Sequence, residues 1–157
     1  MPPPTVRRGD IVWVLNRRAE QLATSVDLSD ALDPNKPRRM FVIVHADGII
    51  RYHRNFIGLP LSSIKTQTVL ETWHVRLDAG HCIPAPTTQR PFPPVDTYVD
   101  CSQIHTLPDG ARQPQRPRFT LTVGKVTQRQ MKELERGLIE ALDLPCCDCE
   151  DDFDPSP

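Results

Sequence analysis

The chain has 157 residues, 38% of them hydrophobic and 25% charged, which is enough for one domain whose modest core needs no metal or disulfide staple. No apolar run approaches the roughly 18 residues of a membrane span, and Met1-Pro-Pro-Pro-Thr5 lacks the apolar stretch of a secretory signal, so a cytoplasmic protein is expected. The formal charge of -1 hides an asymmetry: six of the 20 acidic residues lie from Asp143 onward with no Lys or Arg, leaving residues 1–142 basic, with 14 acids against 19 Lys and Arg, and suited to phosphate.

Seventeen prolines against seven glycines point to short elements and rigid connections, hence a loop-rich β domain. Ile11-Val-Trp-Val-Leu15 is the first predicted strand, led in by Gly9-Asp10. The polar Asn16 to Arg38 stretch reads as a loop with a helical turn. Behind the basic Lys36-Pro-Arg-Arg39, the apolar run from Met40 to His45 predicts a buried central strand. Ala46-Asp-Gly48 carries hairpin-turn chemistry before Ile49 to Arg54, and Phe56 to Leu61 returns into a polar turn at Leu59-Pro-Leu-Ser-Ser-Ile64.

Trp73 to Leu77 alternates with period two, placing Trp73, Val75 and Leu77 on one face and His74 and Arg76 on the wet one. Five prolines between His81 and Pro94 predict an extended surface connection outside any central ladder. Tyr98 to Leu107 and Arg118 to Val123 read as strands, separated by a Pro108-Asp-Gly110 turn and a loop holding Arg112, Arg116 and Arg118. Thr127-x-x-Gln130 is a capping box, and Met131, Leu134, Leu138, Ile139 and Leu142 form the apolar stripe of a helix that Asp143-Leu-Pro145 ends. The expected division is a domain over residues 1–145 and an acidic, cysteine-containing disordered tail over 146–157.

An odd count of five cysteines argues for reduced thiols, with Cys82 and Cys101, like Trp13 and Trp73, expected in the core. Cys146 and Cys149 have the spacing of a zinc half-site, but no second Cys/His pair completes it, so neither metal nor cofactor is expected.

Three blocks, in order, resemble the MazF/PemK family of toxin endoribonucleases. Gly9-Asp-Ile-Val-Trp-Val-Leu15 is similar to its opening Gly-Asp-aromatic strand, Arg39 with the apolar run behind it to its Arg-Pro-Ala-Leu-Val-Val strand, and Leu59-Pro-Leu-Ser-Ser63 to its Pro-x-Thr-Ser turn. Val99 to Leu107 stands where the family has a strand containing Asp-Gln, and the resemblance spans residues 7–142. It implies a mainly β fold, a small SH3-like β-barrel with a C-terminal helix, forming a homodimer with an RNA groove across two subunits. It further implies the toxin of a type II toxin-antitoxin system: a sequence-specific, metal-independent endoribonuclease acting on single-stranded RNA and neutralised by a cognate antitoxin. The alternative is a non-catalytic RNA- or protein-binding barrel derived from that family.

Cutting RNA by internal transfer needs a base for the 2′-hydroxyl, a proton for the leaving 5′-oxygen and donors for the phosphorane. Arg39 offers a bidentate fork to phosphate, and Ser62 and Ser63 offer hydroxyls from the next loop; these positions match the family's site. The ordinary alternative is a solvated strand-end charge and two turn serines. Ser102 occupies the place of the family's Asp beside Gln103, and Asp100 that of an Arg in some members. A serine cannot replace a carboxylate as proton carrier. Period two puts Asp100 on the face of Ser102 and His105 on the other.

His53 and His105 are the substitute imidazoles, ahead of His45, His74 and His81. The candidate catalytic set is therefore Arg39, Ser62, Asp100 and His105. Arg51, Tyr52, His53 and Arg54, which interleave cations with an aromatic ring, are candidate RNA contacts with Ser63 and Gln103; a solvated hairpin tip is the competing reading of the first four.

Overall fold

A computed structural model of the chain describes residues 6–15, 38–45, 55–108 and 119–145. The expected loop from Asn16, the hairpin carrying Arg51, Tyr52, His53 and Arg54, the basic loop of Arg112 and Arg116, and the tail 146–157 lie outside the described residues. Among those described, the chain forms β1 (Asp10–Leu15), β2 (Arg38–Ile43), β3 (Asn55–Ser63), β4 (His74–Leu77), β5 (Ile83–Pro84), β6 (Thr97–Asp100), β7 (His105–Pro108), β8 (Phe119–Lys125) and α1 (Gln128–Ala141). The strands pair antiparallel in the order β4-β6-β3-β2-β1-β8-β5, with β7 also on β3. The result is the expected mainly β architecture, a curled half-barrel sheet with one C-terminal helix.

Alternating side chains divide the sheet between two apolar clusters. Ile11, Val42, Leu59, Leu61, Val75, Leu77, Val99 and Val123 join Leu134 of α1 in one cluster. Their out-of-step neighbours Val12, Val14, Phe41 and Ile43 form the second with Phe56 and Leu107. Helix α1 docks through Gln130, Leu134 and Gly137, with Met131, Leu138 and Ala141 packed beside them. Gly137 is required by the close approach: a Cβ there would lie 2.7 Å from Cys101 Sγ and 3.2 Å from the Trp73 carbonyl oxygen. The stripe is thus rotated from the one expected, and Leu142 is 50% exposed.

The capping box forms as predicted: Gln130 N–H donates to Thr127 Oγ1 at 3.2 Å and Thr127 N–H to Gln130 Oε1 at 2.7 Å. Cys82 and Cys101 are buried, and burial pushes their thiols up to about 11 and about 12, respectively. Trp13 and Trp73 pack against the helix-side core but are only partly buried.

Three expectations change. The segment Leu59 to Ser63 is not a turn but the second half of β3. On the edge of β3 away from β2, residues Asn55–Gly58 pair with β7 and residues Leu61–Ser63 with β6. Pro60 falls at this changeover, where its missing N–H breaks no ladder on that edge. The proline-rich crossing is not merely a surface connection, since Ile83 and Pro84 add an edge strand to β8 and Cys82 and Phe92 enter the core. Finally, the expected strand Tyr98 to Leu107 is two strands with a turn between them, which decides the geometry of the site.

Candidate active site

Arg39 lies in step with Phe41 and Ile43 on β2, so it projects to the face away from α1. Continuing the Phe41–Pro60 register two residues sets Ser62 opposite Arg39, and Arg39 Nη2 donates to Ser62 Oγ at 3.3 Å. Ser63, next in the strand, takes the other face, is exposed and pairs with Thr97. β3 thus presents Ser62 to Arg39 on one face and Ser63 to the other.

Asp100 ends β6 on the same face as Arg39 and Ser62, because Val99 before it is in the helix-side core. Its carboxylate draws the chain into a turn. Oδ1 accepts from Ser102 N–H at 3.0 Å and Ser102 Oγ–H at 2.6 Å, and Oδ2 accepts from Gln103 Nε2 at 2.8 Å. An Asp bonding its own backbone two residues on is the usual way such a side chain competes with a strand ladder. The turn cancels the period-two count from Asp100 to His105, so the expectation that Asp100 shares a strand face with Ser102, and not with His105, fails. Gln103, a candidate RNA contact, is exposed and has its amide Nε2 bonded into this turn.

Past the turn, His105 opens β7 opposite Gly58 of β3. Its ring meets Phe41 edge to face at 5.6 Å between centroids, and it lies in step with buried Leu107 on the face of Arg39. Gly58 permits this packing: a Cβ there would come within 2.6 Å of Leu107 Cδ1 and 3.3 Å of Phe41 Cβ. The buried Nε2 of His105 has no hydrogen-bond partner among the described residues. Burial holds the imidazole pKa below its ordinary 6.5, the positive charge of Arg39 lowers it further, and Asp100 opposes both. Its neutral form is thus favoured at neutral pH, leaving one ring nitrogen able to accept a proton.

Burial pushes Asp100 upward, but the Ser102 hydroxyl and N–H, the charge of His74 and the Gln103 amide together outweigh it, so the carboxyl sits below its ordinary 3.8. It stays ionised and is a poor proton carrier near neutrality. His74 ranked low on sequence, yet the β4–β6 register sets it opposite Asp100. Its Nε2 is 3.6 Å from Asp100 Oδ1, and its ring lies 4.8 Å from that of Tyr98. The sequence signal was present in the alternation of His74 with Val75 and Leu77; its partner strand was not legible. No group of three or more His, Cys, Asp or Glu suited to hold a metal occurs among the described residues, and no helix there is long and apolar enough to cross a membrane.

Comparison with solved structures finds the same fold at low sequence identity. An endoribonuclease from a mycobacterial species is 18% identical, covers 93% of this chain and 99% of its own, and superposes with a TM-score of 0.54. A mycobacterial endoribonuclease in complex with its cognate antitoxin is 17% identical over 90% of this chain and 98% of its own, TM-score 0.52. A MazE-MazF complex from Deinococcus radiodurans is 11% identical over 90% and 99%, TM-score 0.53. A search of curated protein sequences gives no match. The model of the PemK-like, MazF-like toxins of type II toxin-antitoxin systems matches residues 7–142. With nearly the whole described domain inside that match, the chain belongs to the PemK-like, MazF-like toxin family.

Proposed function

We propose that this chain is a toxin that cuts single-stranded RNA by internal transfer, using side chains alone. The observation that carries the reading is the convergence of Arg39, Ser62 and His105 on one face of the sheet, with Arg39 Nη2 reaching Ser62 Oγ at 3.3 Å and its charge acting on the His105 imidazole. Neutral His105 takes the 2′-hydroxyl proton, the 2′-oxygen forms its bond to phosphorus, and the bond to the 5′-oxygen breaks, that oxygen taking a proton from solvent. Arg39 places its fork on the non-bridging oxygens and Ser62 adds a hydroxyl donor, so developing charge meets preorganised donors. Asp100 is assigned to holding the turn rather than to moving a proton. The serine at 102 then leaves no gap in the proton chemistry, because its hydroxyl serves the carboxylate of Asp100.

Family membership and the solved complex of a similar endoribonuclease with its antitoxin support a cognate antitoxin as partner. We assign the working form as a cytoplasmic homodimer with the groove shared between subunits, residues 1–145 forming the domain and 146–157 its acidic tail. Arg51, Tyr52, His53 and Arg54 are assigned to stacking and phosphate contacts along the RNA. Incubation of purified protein with a mixed single-stranded RNA pool, with and without chelator, tests the reading. Cleavage unaffected by chelator is expected; an intact pool at high enzyme concentration would leave a binding module in its place.

A further inference from the structure

His74 and Asp100 form a largely buried pair that no step above uses directly. Their side chains are 11% and 13% exposed. His74 Nδ1 accepts from the Glu71 N–H at 2.9 Å, which places the proton of the neutral ring on Nε2, the atom facing Asp100. The imidazole also packs against two rings, that of Tyr98 on the neighbouring strand, 4.8 Å between centroids, and that of Trp73, 6.0 Å between centroids. The ring nitrogen held in this way faces Asp100, the residue that closes the turn leading into His105. The pairing is also cross-strand: β4 brings His74 against the last residue of β6, where the chain leaves the sheet.

We infer that His74 is a positioning residue, holding the Asp100 carboxylate so that the turn through Ser102 and Gln103 delivers His105 beside Arg39. Oδ1 of Asp100 accepts from the Ser102 N–H and the Ser102 hydroxyl and lies 3.6 Å from His74 Nε2, while Oδ2 accepts from Gln103. Removing the His74 imidazole, which walls in the carboxylate at 3.6 Å, frees Asp100 to rotate toward solvent and loosens the three bonds that shape the turn. The effect reaches His105 in two ways, through the start of β7 and through the Asp100 charge, which favours the protonated ring. His74 touches no reacting atom in this scheme.

The inference rests on the nuclease reading for its consequence in rate but not for its structural content, and two measurements on the full-length protein separate them. Proton NMR titration of His105 is compared in wild type, His74→Ala and His74→Gln, alongside thermal unfolding and RNA cleavage. Glutamine can place an amide N–H near the Nε2 position and should rescue. In His74→Ala the His105 titration should move and kcat should fall on the order of tenfold to a hundredfold, as expected for a misplaced reacting group, while KM and the cooperative unfolding transition persist. His74→Gln should return both to near wild type. An unmoved His105 titration in a folded His74→Ala protein overturns the inference, as does a His74→Gln variant no better than alanine. If wild type leaves RNA intact while the titration responds and glutamine restores it, the positioning pair stands and the nuclease reading falls.

Discussion

Replacing Arg39 by alanine removes two things that can be measured separately. One is a charged donor: the guanidinium lies 3.3 Å from Ser62 Oγ on the face of the sheet away from α1, and loss of one preorganised donor to a developing oxyanion costs about 10²- to 10³-fold in kcat, or about 2.7–4 kcal/mol. The other is a field on His105, whose pKa the Arg39 charge lowers. Without it the imidazole holds its proton more tightly, so the acid limb of kcat/KM, which in wild type falls below pH 6.5, moves to higher pH. Fluorogenic RNA cleavage from about pH 5 to about pH 8, with circular dichroism to verify folding, reads both. Above the limb the deficit should be the donor loss alone, and it should widen as pH falls. An unchanged rate in a folded Arg39→Ala protein would return Arg39 to an ordinary surface charge, and a limb that stays put or moves down would refute its coupling to His105.

Gly58→Ala should destabilise the domain by about 1–3 kcal/mol, because the added methyl would sit 2.6 Å from Leu107 Cδ1 in a closed cluster; a melting temperature equal to wild type would contradict the packing. Acid should unfold the protein in two stages. His105, with a lowered folded pKa, contributes stability present above pH 6.5 and lost as pH falls through its folded value. Asp100, also lowered, contributes stability present above pH 3.8 and lost as pH falls through its own. Urea midpoints against pH should therefore lose the upper stage in His105→Asn and the lower in Asp100→Asn, and identical slopes in all three proteins would refute both assignments. Deleting residues 146–157, which hold five carboxylates and no Lys or Arg, should tighten RNA binding at low salt, with the gain fading as the Debye length shrinks from about 30 Å to about 8 Å. Equal affinity of full-length and truncated protein in dilute buffer would make the tail a bystander.

The central strand and the helix were legible because their signals are local. An uninterrupted Val/Ile/Phe run behind Arg39 has few alternatives to a buried strand, and Thr127 with Gln130 closes its capping box within one turn of chain. The order of the Gly9, Arg39 and Ser62 blocks was enough for the family, since each is a short stretch read in place. The site itself depended on partners far apart in sequence. That Ser62 meets Arg39 while Ser63 turns away follows from the β2–β3 register, and a one-residue slip would exchange them. That Asp100 ends a strand could have been suspected from its short polar side chain, but the run Val99 to Leu107 offers an equally good period until the carboxylate bonds Ser102. Gly137 carries no apolar signal at all, yet it marks a close approach of the helix to the sheet, and only the partner atoms of Cys101, Val75 and Trp73 show why a side chain is excluded. Periodicity alone puts His74 on a wet strand face, and only the pairing with a strand over twenty residues away sets Asp100 opposite it. Local periodicity determined which segments fold and how; only strand pairing, a long-range choice set by the whole core, decided which polar side chains meet.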